Sequence, residues 1–100
     1  MKNDLSRLAD RAGEAAQMLR LLANEKRLLI LCLMAARGEV NVSDLAEEVG
    51  LSMSALSQHL AKLRQDELVV TRKEGQMVFY KVSDPDVARI LKLLKDIYCP

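Results

Sequence analysis

A chain of 100 residues has room for one compact domain, taken here as a single unit over 1–100. Two tyrosines, one phenylalanine and no tryptophan, in a composition that is half hydrophobic, favour packed helices over a sheet sandwich. Fifteen Lys and Arg against fourteen Asp and Glu leave a net charge of +1, so bulk charge does not announce a nucleic-acid partner and any phosphate contact needs locally placed cations. No apolar run approaches the roughly 20 residues that cross a bilayer. The opening MKNDLSRLADRAGEAAQ lacks the apolar core of a signal peptide, which points to a cytoplasmic protein with no membrane partner. In that compartment two cysteines are free thiols, metal ligands or redox switches rather than permanent staples.

Residues 4 to 22 are predicted to form an amphipathic helix. Leu5, Leu8, Ala12, Ala15, Ala16, Leu19 and Leu22 lie along one stripe, which can pack on its own domain or on a second subunit. Asn24 then caps a second helix with Glu25 in its first turn. Its sequence EKRLLILCLMAAR is apolar nearly all round from Leu28 to Ala36, the pattern of a central buried helix. Arg37-Gly38-Glu39 ends it with a loop glycine.

The stretch NVSDLAEEVGLSMSALSQHLAKLRQD, residues 41 to 66, reads as two helices joined at Gly50-Leu51. Val42, Leu45, Ala46 and Val49 share one face of the first, and Leu56, Leu60 and Leu63 share one face of the second. Asn41 and Ser52 are the caps, and Gly50 suits a left-handed helix end. The second helix keeps Ser54, Ser57, Gln58, Ala61 and Gln65 outside. That arrangement is a helix-turn-helix, whose second helix enters the DNA major groove; it is also the pattern of an ordinary helical hairpin with a solvated polar face.

After Leu68, Val69–Lys73 and Met77–Val82 are rich in β-branched and aromatic residues, with a turn at Glu74-Gly75-Gln76. A hairpin directly after a recognition helix is the wing of a winged helix. Arg72, Lys73 and Lys81 are placed to meet phosphates and Gln76 to reach a minor groove, unless the hairpin is merely solvated. Asp84-Pro85 starts a last helix whose stripe is Val87, Ile90, Leu91, Leu94 and Ile97, with Cys99 at its end. The fold expected is mainly helical with a β-hairpin wing, and the two terminal helices are the natural homodimer contact.

This order of elements resembles the ArsR/SmtB family of winged-helix repressors. The resemblance covers nearly the whole chain and rests on ANEKRLLIL, on DLAEEVGLSMSALSQHLAKLR and on LVVTRKEGQMVFYKV. It implies a double-stranded DNA operator as partner and base contacts near the start of the recognition helix. The matching positions are Met53, Ser54, Ser57 and Gln58, with His59 beside them; Met53 departs from the glutamine often found there. Lys62, Arg72, Lys73 and Gln76 complete the expected DNA-binding set.

Many members sense metals, yet the sequence offers no thiol at Asn41-Val42-Ser43-Asp44 and no histidine on the last helix, so both family metal sites are missing. No metal or cofactor is expected. Cys32 and Cys99 match in position the cysteines of the thiol-sensing branch containing BigR, SqrR and HlyU. The resemblance implies that oxidants form a disulfide between them and that reactive sulfur species form a persulfide or polysulfide bridge, either link weakening DNA binding. Taken by itself, Cys32 between Leu31 and Leu33 also suits an inert buried thiol. No enzyme motif is present: there is no P-loop, Gly-rich dinucleotide motif or Cys-x-x-Cys, and one histidine leaves little for acid–base catalysis. The alternatives to a thiol-sensing repressor are an anti-silencing activator like HlyU, a constitutive DNA-binding dimer with inert thiols, and a protein-interaction module.

Overall fold

Four of the five helices begin where a short polar side chain meets the free backbone N–H groups of a first turn. The computed structural model describes residues 4–100. Its elements are α1 (Asp4–Leu22), α2 (Glu25–Arg37), β1 (Val40–Asn41), α3 (Val42–Val49), α4 (Met53–Gln65), β2 (Val69–Glu74), β3 (Met77–Val82) and α5 (Pro85–Tyr98). Asn24 accepts the N–H of Arg27 at 3.0 Å, and Asn41 that of Ser43 at 2.9 Å. Ser52 Oγ accepts the N–H of Ala55 at 3.1 Å, and Asp84 those of Asp86 and Val87 at 2.8 and 3.1 Å. Gly50 closes α3 at φ 69° and ψ 37°, left-handed backbone that costs a residue with a Cβ about 1–2 kcal/mol.

The sheet is antiparallel in the order β1-β3-β2. In the hairpin Val69 faces Val82 and Glu74 faces Met77, so Glu74 belongs to β2 and the turn is only Gly75-Gln76, one residue shorter than the sequence suggests. Strand β1 was not expected. Two residues carry no periodicity of their own, and β1 exists because Val40 and Asn41 pair with Tyr80 and Phe79.

The core gathers Ile30, Leu31 and Met34 of α2, Leu45 and Val49 of α3, and Leu56, Leu60 and Leu63 of α4 around Val87 and Leu91 of α5. Each such side chain contributes on the order of 1.5–3 kcal/mol by leaving water. Helix α2 is central, touching α1, α3, α5 and the sheet. It is not buried on all sides, however: Leu29 is 41% exposed, and Ala35 and Ala36 face outward. Helix α1 buries only Leu21 and Leu22, at the end that meets α2. The rest extends outward, giving a radius of gyration of 15.2 Å where about 13 Å is usual for this length.

Candidate nucleic-acid interface and thiol groove

Because Leu56, Leu60 and Leu63 lock one face of α4 into the core, the opposite face is fixed outward. Met53, Ser54, Ser57, Gln58 and Lys62 are exposed and His59 is half-buried. The wing stands beside this helix, and the two enclose an open cleft of about 470 Å³. Met53, Ser57, Ala61 and Arg64 line it from α4, and Gln76 and Met77 from the hairpin. The structure thus brings Met53, Ser57 and Gln76 of the expected set to one place. Arg64 and Met77 were missed, although Arg64 continues the helical spacing of Met53, Ser57 and Ala61 and could have been found from it.

The cations of the expected set are differently placed. Lys62 reaches Asp66 at 3.4 Å. Arg72 donates to both carboxylate oxygens of Glu39, at 2.7 and 3.2 Å, and to Glu74 at 2.8 Å. Its guanidinium also lies 4.6 Å from the centre of the Phe79 ring, its partner across the β2–β3 ladder. The two hydrogen-bonded carboxylates push the Arg72 pKa further up, and the Arg72 hydrogen bond holds Glu39 below its ordinary range. Among the described residues Arg72 is therefore a clamp from the wing to the loop after α2. Lys73 is exposed next to it on β2. No cluster of three or more His, Cys, Asp or Glu side chains able to hold a metal occurs among the described residues, and no helix there is long and apolar enough to cross a membrane.

Away from α4, a groove of about 870 Å³ runs between α2 and α5. Cys32 enters it from the middle of α2 and Cys99 from the end of α5. Leu33, Leu91, Leu94 and Tyr98 supply much of its apolar lining, and Lys95 stands in it one turn before Cys99. Both thiols are free; Cys32 is half-buried and Cys99 exposed. Burial pushes the Cys32 thiol above its ordinary pKa, and negative charge on Cys99 acts in the same direction. The backbone places Cys99 firmly, its N–H donating to Lys95 O at 2.7 Å.

Residues 24–71 match the family described as "Bacterial regulatory protein, arsR family". The chain is 46% identical over 96 residues to the transcriptional activator HlyU of Vibrio cholerae, covering 96% of this chain and 88% of that protein. The structure of reduced HlyU from Vibrio cholerae has the same fold, with a TM-score of 0.88 at 45% identity over 94% of this chain and 98% of the other. The transcriptional repressor BigR from Xylella fastidiosa matches with a TM-score of 0.88 at 30% identity, over 98% and 99% of the two chains. With the helix-turn-helix, the wing and near-complete coverage of named regulators in agreement, the chain belongs to the arsR family of bacterial regulatory proteins and is a transcriptional regulator, not an enzyme.

Proposed function

We propose that this regulator is a cytoplasmic homodimeric repressor, a single domain over 1–100, that binds a DNA operator through α4 and the wing and releases it when Cys32 and Cys99 become linked. The observation that carries this reading is that both thiols line one groove between α2 and α5. Cys99, the exposed thiol, meets the reagent first. A peroxide oxidises its thiolate to a sulfenic acid and leaves as hydroxide; Cys32 then displaces water, and the two thiols have given up two electrons. A persulfide instead hands its outer sulfur to each cysteine in turn and leaves as a thiol. The Cys99 persulfide then attacks the inner sulfur of the Cys32 persulfide and displaces hydrogen sulfide, closing a polysulfide bridge that keeps one extra sulfur.

Either route ties the end of α5 to α2, the helix on which α3 and the sheet rest. Two recognition helices of a dimer must lie about 34 Å apart to enter successive major grooves, so a changed α5 position translates into lost affinity. The 46% identity to the activator HlyU supports a second sign of regulation, in which the same dimer raises expression by displacing a silencing protein.

The test is binding of the chain to its own upstream DNA, reduced and after treatment with a peroxide or a persulfide donor, with intact-mass analysis of each sample. Lost affinity together with a Cys32–Cys99 link is expected, and Cys32→Ser or Cys99→Ser should abolish the response. Full affinity with both thiols still free would leave a DNA binder with inert thiols, and full affinity after complete linkage would leave one whose signal lies elsewhere. Absence of salt-dependent DNA binding would favour the protein-interaction alternative.

A further inference from the structure

We propose, resting on the DNA-binding reading above, that Met53 reads the 5-methyl group of a thymine in each operator half-site, so that the base pairs facing the start of α4 are A·T rather than G·C. The first two turns of α4, MSALSQHL, hold no lysine or arginine, and the basic residues of this helix, Lys62 and Arg64, fall in its last turn. The commonest contact to guanine, a bidentate Arg or Lys on O6 and N7, is thus not available from the end of the helix that reaches base edges. What that end offers is Ser54, Ser57 and Gln58, all exposed, and a glutamine amide matches the N6/N7 pair of adenine.

Met53 is the apolar member of this set. It occupies the first position of α4, 48% exposed, and is absent from the hydrophobic core. An apolar side chain on a reading surface gains by burial only against an apolar group. On the base edges of the major groove that group is the thymine methyl. Met77, the first residue of β3, is 49% exposed and lines the same cleft beside Gln76, so a second unbranched apolar side chain borders the space next to Met53. Methionine suits such a surface, since its flexible thioether adapts to a shallow methyl group.

The experiment selects binding sites for the reduced chain from duplexes with a randomised core. The selected duplex is then resynthesised with deoxyuridine in place of each thymine in turn, which deletes the methyl and leaves every hydrogen-bonding group intact. Loss of one methyl contact is expected to weaken binding by about four-fold at one position of each half-site. Met53→Ala should bind more weakly and lose that sensitivity, while Met53→Leu, apolar and of similar size, should keep it. Tight binding with no sensitive thymine would overturn the proposal and leave the DNA-binding reading standing. So would equal sensitivity in the wild type and Met53→Ala, because another side chain would then be reading the methyl. Failure to enrich any duplex would sink the DNA-binding reading itself, and this proposal with it.

Discussion

Cys32 sits one helical turn from Leu28 and Ala36 with no cation on its own face, and burial is the larger of the two causes that raise its pKa. Since only the thiolate attacks, its reactivity should climb with pH through a midpoint above that of an ordinary thiol. Alkylation of Cys32 by iodoacetamide, followed by peptide mass across a pH series, measures this. Replacing Cys99 with serine removes the smaller cause, so the midpoint should fall part of the way and stay above the ordinary value. A midpoint at or below the ordinary one would mean that Cys32 is neither desolvated nor near a charge on Cys99. The groove therefore gives the two thiols unequal surroundings, Cys99 exposed and Cys32 partly buried.

At the scale of elements, the α3–α4 turn fixes how the recognition helix leaves the core. A methyl added at Gly50 would meet nothing within 4 Å, so the cost of Gly50→Ala is that of the left-handed backbone alone. The expected loss is about 1–2 kcal/mol of stability, read as a lower urea midpoint with unchanged slope; an unchanged midpoint would count against the left-handed assignment. The signals behind this turn are local, which is why they were legible in the sequence. Asn41, Ser52 and Asp84 cap groups two or three residues away, and the periodicity of Leu56, Leu60 and Leu63 assigns a face without knowing what covers it. Illegible were the contacts that depend on distant partners: β1 against Tyr80 and Phe79, the grip of Arg72 on Glu39, and the joining of Met53 to Met77 across one cleft. The apolar run of α2 overstated its burial for a related reason. Pattern reports which residues tolerate a core, and Leu29 tolerates one without being placed in it.

Over the whole molecule, apolar side chains collect on the two terminal helices with little among the described residues to cover them. Leu5, Leu8 and Leu19 of α1 are 74%, 59% and 57% exposed, and Leu93, Ile97 and Tyr98 of α5 are also exposed. Exposed apolar surface on this scale marks an interface, and a two-fold symmetric pair is the commonest way to cover it. Sedimentation at micromolar concentration should give twice the chain mass. Leu8→Glu combined with Leu19→Glu should yield a monomer with native helicity and much weaker operator binding, since neither leucine belongs to the core; a double variant that still dimerises would exclude α1 from the interface. The Arg72 clamp has a consequence on this same scale. Arg11, Arg37, Lys62, Arg89 and Lys92 also have carboxylate partners within the chain. Cations already neutralised displace few counterions from a DNA backbone. In an operator complex Arg72 would have to leave Glu39 and Glu74 before meeting a phosphate, so its replacement should flatten the salt dependence of binding less than that of Lys73.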